Sequence, residues 1–241
     1  HYLSLSFYRI MNCIDVIKQV KDSIAFIATL DVNNKPAGTG SGFVFLKKGI
    51  LVTCNHVVKN ANSIFIKFTG GEFISAKIII KDEEHDLALL KFESSQKPLS
   101  LSDILEVKEG TKVLFSGYPL MLQDLTTHQG IISAITKDIS GITTYLIDGT
   151  VNSGNSGCPL LDHEGKVLGV VNAKRREQSD LLSKVEDMKV GAVSLHGIDL
   201  VDIYGAIINN LQLGIGYAIP ARYIPEHKEI SEINEDKKLS I

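Results

Sequence analysis

The sequence predicts an all-β fold, a sandwich or barrels, with helix confined to a short N-terminal segment and one late insertion. Short runs rich in β-branched and aromatic residues succeed one another from residue 24 to residue 135, each ended by glycine, asparagine or proline. Many strands at this close spacing close on themselves or stack as two sheets. Helical periodicity appears only at residues 15–22 and in the long connection beyond residue 174. With 241 residues, 44% of them hydrophobic and 22% charged, the chain can bury a core as one domain or as two small lobes.

Val16, Ile17 and Val20 recur at helical spacing and predict a short helix leading into a first strand at residues 24–30. Further strands are predicted at residues 42–45, 50–53, 63–68, 74–80, 88–92, 112–115 and 130–135. The polar, irregular segment 96–110 separates two sets of strands and places a lobe boundary there. The expected units are an N-terminal segment 1–22, a first lobe 23–105, a second lobe 106–225 and a tail or linker 226–241. Between the predicted strands 167–172 and 216–219 lie about forty residues, too many for a plain loop. A charged amphipathic pattern at 175–189 and a second pattern at 200–211 make this stretch, about 174–213, a helical insertion before the last strand. The charged tail suits an exposed helix, a linker or frayed coil.

The net charge of −3 and the lack of a long basic run give no electrostatic footprint for nucleic acid. No apolar run reaches bilayer-spanning length, so no membrane span is expected. The chain begins at His1 without a basic end and apolar run, so a leader is expected to be absent or already removed. Cys13, Cys54 and Cys158 are odd in number and form no CxxC pair, which argues against a disulfide framework and a zinc site. Reduced thiols lean toward the cytoplasm, with a periplasmic or secreted location open if a leader was removed. No metal and no cofactor is expected. His85, His128, His163, His196 and His227 share no ligand spacing and read as surface or loop residues.

Residues 154–159, Gly-Asn-Ser-Gly-Cys-Pro, put Ser156 on a tight glycine-flanked turn whose N–H groups can point inward. A serine hydroxyl attacks an acyl carbon only when a base takes its proton and donors already in place meet the oxyanion that forms. His56, where a β-rich run ends, and Asp86, at the start of the apolar run 87–90, fit the roles of base and orienting anion. Order along the chain is weak support by itself, because the same three groups recur on unrelated folds.

Gly38-Thr39-Gly40-Ser41-Gly42-Phe43, Thr53-Cys54-Asn55-His56-Val57-Val58, Asp86-Leu87-Ala88-Leu89-Leu90, Gly130-Ile131-Ile132-Ser133, Val151-Asn152-Ser153-Gly154-Asn155-Ser156-Gly157 and Gly216-Tyr217-Ala218-Ile219-Pro220 stand in register. Together they resemble the protease domain of the HtrA/DegP group of trypsin-like serine peptidases, over roughly residues 20 to 225. The resemblance implies two antiparallel β-barrels with the site between them. It makes His56 general base and acid, Asp86 its orienter and Ser156 the nucleophile. The N–H groups of Gly154 and Ser156 would form the oxyanion hole, with Asn155 between them. It also implies control by loop order, since the uncharged Asn155 offers nothing to a freed N-terminal amine.

By the same resemblance Thr150, Val151 and Asn152 line the pocket for the residue before the scissile bond, and Asn172 and Ala173 pair with substrate backbone. No carboxylate sits at Thr150, which disfavours basic residues and favours small or aliphatic ones, with Lys174 at the rim tolerating acidic groups. The implied activity is a serine endopeptidase hydrolysing protein or peptide substrates through an acyl-enzyme. Its rivals are a partner-activated processing or effector protease and a non-catalytic binding module on the same fold. Tyr2, Phe7 and Tyr8 resemble the segment through which HtrA-type domains form trimers, so a homotrimer through residues 1–12 is one expected assembly. A fusion or partner protein is the other, because HtrA proteins continue into a PDZ domain and this sequence ends soon after Pro220. The 174–213 insertion is expected to gate the cleft.

Overall fold

In a computed structural model, the described residues are 12–93, 96–104, 106–173, 194–195, 198–199 and 214–225. The N-terminal aromatics, both helical patterns of the insertion and the charged tail lie outside them.

Helix α1 (Cys13–Val20) opens the described chain; Asn12 caps it, its side chain accepting from the Asp15 N–H at 3.0 Å. Val16 and Val20 on its buried face pack against the Gly165 turn of the second barrel, where a Cβ on residue 165 would come within 3.1 Å of Val20. Six strands then close the first barrel: β1 (Ile24–Leu30), β2 (Pro36–Val44), β3 (Ile50–Cys54), β4 (Ser63–Phe68), β5 (Ile74–Asp82) and β6 (Leu87–Phe92). Their order is β1-β2-β3-β6-β5-β4, and β1 pairs with both β2 and β4, so no edge is left open. Period-2 alternation is plain in β4, where Ile64, Ile66 and Phe68 face the core. Four-residue helix α2 (Asn55–Val58) follows β3 at the rim.

Residues 96–104 run along both barrels: Leu99 bridges Phe45 of the first and Leu101 bridges Val167 of the second. The second barrel closes in the order β10-β11-β14-β9-β8-β7, built from β7 (Lys112–Gly117), β8 (Thr126–Lys137), β9 (Thr143–Asp148), β10 (Pro159–Leu161), β11 (Val167–Asn172) and β14 (Ile215–Pro220). Phe115, Ile132, Ile147, Leu160 and Val171 fill it without solvent exposure. Each such side chain contributes about 1.5–3 kcal/mol. The expected all-β, two-barrel architecture with a short N-terminal helix is what the chain adopts. Within the insertion the described residues are two two-residue strands, β12 (Ser194–Leu195) and β13 (Ile198–Asp199), paired antiparallel, an element the helical patterns did not foretell.

His128 is not a loop residue: it lies in β8, half-buried, its ring stacked on Phe115 at 5.0 Å. His85 is half-buried too, stacked on Tyr223 at 4.3 Å.

Candidate active site

The barrel rims bring His56, Asp86 and Ser156 together. The chain leaving β3 turns through α2, which carries His56; Asp86 ends the turn before β6 with φ of 56°, a left-handed conformation that Asp tolerates better than most residues. Two hydrogen bonds from backbone N–H groups lock these turns, that of Asn55 to Asp86 O at 2.9 Å and that of His56 to the carboxylate Oδ1 of Asp86 at 2.8 Å. The ring of His56 is thereby held over the carboxylate, Nδ1 at 2.6 Å from Oδ2. On its other side Nε2 lies 2.9 Å from Ser156 Oγ, across the interbarrel cleft.

Burial pushes the Asp86 carboxyl up, but hydrogen bonds from the His56 ring and backbone, the charge of His56 and the Asn172 amide outweigh it and hold its pKa below the ordinary 3.8. Asp86 is therefore an anion at neutral pH. An anion accepts, so the proton of a neutral His56 sits on Nδ1 and leaves the Nε2 lone pair facing the Ser156 hydroxyl. The Ala173 N–H donates to the same Oγ at 3.1 Å.

The glycine turn is fixed one peptide at a time, because a trans peptide sends its C=O and its N–H to opposite edges. The Leu120 N–H holds Ser153 O at 2.7 Å, which turns the Gly154 N–H the other way. Ser41 Oγ donates to Gly154 O at 2.7 Å, and the Asn155 N–H on the far edge of that peptide goes to Asn152 O at 3.0 Å. The Cys158 N–H holds Asn155 O at 3.0 Å, freeing the Ser156 N–H on the opposite edge. Thus the N–H groups of Gly154 and Ser156 take no partner among the described residues, whereas that of Asn155 is engaged within the turn and offers no donor to a ligand. Gly154, with φ of 95°, cannot be replaced without strain: a Cβ there would stand 2.4 Å from Tyr118 O. Gly157, with φ of 89°, is as confined, 2.1 Å from Ser41 O.

Thr150 is exposed, and Val151 and Asn152 are half-buried beside the turn. Val151 packs down onto Gly216 of β14, its γ-carbon 2.2 Å from where a Cβ on 216 would stand. The Asn172 side chain is buried and its amide donates to Asp86 Oδ2 at 2.9 Å, so the residue also supports the Asp86–His56 pair. Asn155 is fully buried, and neither polar atom of its side chain has a hydrogen-bond partner among the described residues; the same holds for Asn152 Oδ1.

Ser41 was not singled out from sequence. It accepts the Tyr118 N–H at 2.9 Å while donating to Gly154 O, so it ties the first barrel to the turn. The signal was available in the Gly-Thr-Gly-Ser-Gly run of residues 38–42, where glycine permits close approach: a Cβ at Gly40 would meet Val57 at 2.6 Å.

The family profile of the trypsin-like peptidase domain matches residues 40–170, more than half of the chain. This chain belongs to the trypsin-like peptidase domain family. Among its curated relatives are HtrA/DegP-type proteins. Serine protease Do-like HtrA of Lactobacillus helveticus is 32% identical over 200 residues, 78% of this chain and 48% of that protein. A probable periplasmic serine endoprotease DegP-like of Hahella chejuensis is 38% identical over 136 residues, 55% of this chain and 29% of that one. Protease Do-like 1, chloroplastic, of Arabidopsis thaliana is 34% identical over 155 residues, 60% of this chain and 35% of that one. The chain thus spans less than half the length of these relatives. Solved structures of the same fold include the HtrA-type protease AlgW with tripeptide, at a TM-score of 0.65 and 23% identity, covering 87% of this chain and 60% of that one. The serine endoprotease from Yersinia pestis matches with a TM-score of 0.65 and 22% identity, over 93% of this chain and 67% of that one.

Proposed function

We propose that this chain is a serine endopeptidase in which Ser156 is the nucleophile, His56 the general base and acid, and Asp86 the group that orients His56 and stabilises it once charged. The observation that carries the reading is the continuous relay from Ser156 Oγ through Nε2 at 2.9 Å and from Nδ1 to Asp86 at 2.6 Å. His56 takes the hydroxyl proton as Ser156 attacks, then returns it to the leaving amine; water, activated by the same imidazole, releases the acyl group. The N–H groups of Gly154 and Ser156 receive the oxyanion, and each such donor supplies on the order of 3–4 kcal/mol in enzymes of this kind.

Thr150, Val151 and Asn152 form the pocket for the residue before the scissile bond. The apolar packing of Val151 against Gly216 and the lack of a carboxylate at these three positions support small or aliphatic residues there. Substrate backbone pairs with the chain beyond β11 at Ala173, in the manner of an added strand. The lobes 23–105 and 106–225 act as the two walls of the cleft, protein or peptide chains being the substrates. Relatives named periplasmic or chloroplastic lend no support to the cytoplasmic lean of the reduced thiols, and a periplasmic or secreted site of action is the reading kept.

Proteome-wide mapping of new termini after incubation with the wild-type chain and with Ser156→Ala tests this. Termini specific to the wild type, enriched after alanine, valine or similar residues, are expected. The same termini from both chains, or none from either, would contradict the reading.

A further inference from the structure

Beneath the His56–Asp86 pair lies a thiol that peptide hydrolysis does not use. Cys54, the last residue of β3, is wholly buried, and its Sγ, a ring nitrogen of His56 and a carboxylate oxygen of Asp86 all lie within 4.8 Å of one another. We propose that these three side chains bind one thiophilic divalent cation of the Zn²⁺ type, and that the bound cation switches the site off. The binding half of this proposal stands on the donor geometry alone, whereas the inhibition half rests on the peptidase reading above.

Sulfur, imidazole nitrogen and carboxylate oxygen, with a fourth position left to water, form a donor set that suits Zn²⁺. In a tetrahedral site with bonds of about 2.0–2.3 Å, neighbouring ligand atoms stand about 3.3–3.8 Å apart, so the cation has to part His56 Nδ1 and Asp86 Oδ2, now 2.6 Å apart, and draw in the wider separations of the cluster, all within 4.8 Å, by shifts of about an ångström. Entry runs past Asp86 and His56, whose side chains are 28% and 18% exposed. The outer contacts survive occupancy: the His56 N–H still holds Oδ1 of Asp86, and the Asn172 amide still donates to its carboxylate. Val171 O, which accepts the Cys54 S–H at 3.4 Å, keeps the Gly157 N–H at 2.8 Å when the thiol proton leaves.

The proton balance explains the inhibition. Asp86 is the anion that accepts from the His56 ring, and in the free protein the Cys54 thiol keeps its proton, donating it to Val171 O at 3.4 Å. The cation therefore expels one thiol proton to solvent and forms a sulfur–metal bond. The ring nitrogen that faces Asp86 is Nδ1; to ligate, it gives up its hydrogen, which the other tautomer carries on Nε2. That N–H then points at Ser156 Oγ as a donor, and the base that should take the serine proton no longer has a free lone pair. The ligand charges of one thiolate and one carboxylate match the two charges of the cation, so the buried site ends neutral.

Titration of the full chain with Co²⁺ and then Zn²⁺ tests this, read as the sulfur-to-cobalt charge-transfer band, proton release and peptidase rate. One equivalent is expected to bind, release one proton and show the band, and Zn²⁺ is expected to abolish turnover. Cys54→Ala, with Cys54→Ser as a second variant in case the first folds poorly, should keep turnover and lose the band. Either should raise the half-inhibitory Zn²⁺ concentration by more than about tenfold, the least that loss of a supporting partner costs other sites. Cys13→Ser and Cys158→Ala should retain the band. No band in the wild type, a band that vanishes with Cys13→Ser, or inhibition unchanged in both Cys54 variants would overturn the proposal. Because the band and the proton count do not depend on turnover, an inactive protein that still gives both would sink the peptidase reading and leave the cation site standing.

Discussion

Gly154→Ala puts a methyl group where the turn has no room. The new Cβ would stand 2.4 Å from Tyr118 O, 3.1 Å from the Pro119 Cα and 3.2 Å from the Leu120 nitrogen, all of them backbone atoms that cannot swing aside as a flexible side chain would. The φ of 95° is itself unfavourable for alanine, costing about 1–3 kcal/mol. Both strains are relieved together if the Ser153–Gly154 peptide rotates, which breaks the 2.7 Å hydrogen bond from Leu120 and turns the Gly154 N–H out of the cleft. Loss of one oxyanion donor lowers kcat by about 10²–10³ with little effect on ground-state binding. Steady-state kinetics on a peptide cleaved by the wild type, with a urea midpoint measured alongside, should therefore give a kcat reduced by about that factor, a KM changed by less than about threefold and a stability loss within the strain range. An unchanged kcat, or a loss matched by the unfolded fraction alone, would show that this N–H does not meet the reacting oxygen.

Asp86→Asn keeps the left-handed backbone but removes the charge that fixes the His56 tautomer, and kcat should fall by about 10⁴ while the fold survives at neutral pH. The lowered Asp86 pKa also makes a stability statement: its contribution is present above the unfolded value near 3.9 and disappears as pH falls through the lower folded value, so a wild-type minus Asp86→Asn stability difference should shrink below about pH 4. Burial on Phe115 depresses the His128 pKa, so its contribution is complete above about pH 6.5 and is lost as pH falls; His128→Phe should flatten the urea midpoint between pH 7.5 and pH 5. Asn155→Asp would bury a carboxylate where neither polar atom of the present side chain has a hydrogen-bond partner among the described residues, costing several kcal/mol at pH 7. Burial raises the folded pKa of such an acid, so the variant's melting temperature should recover as pH is lowered toward 5.

Much of this was legible in the chain itself. Strands at 24–30, 63–68 and 167–172 read from their β-branched runs as the structure has them, because one face of each is committed to a barrel core. The first half of β2 was not, since residues 36–41 are rich in glycine and look like loop; they pair because β1 and the turn at Ser156 need backbone with no side chain in the way. Strand β9, Thr143–Asp148, carried a readable Thr-Thr-Tyr-Leu-Ile run, whereas β10 is three residues long and too short to signal. Ser156, His56 and Asp86 were legible from their motifs. The inward turn of Asn172 and the Ser41 link were not, for each depends on a partner more than eighty residues away. The Cys54 cluster was hidden for another reason: its spacing matches no metal motif, and only the closed barrel brings Asp86 under β3.

Labelling with a fluorophosphonate, followed by intact mass and peptide mapping, asks most directly whether the relay and the two N–H donors make a nucleophile of one serine. One adduct per chain, mapped to Ser156 and lost in His56→Ala, is the expected result. An unlabelled protein, or an adduct that forms as fast without His56, would contradict it.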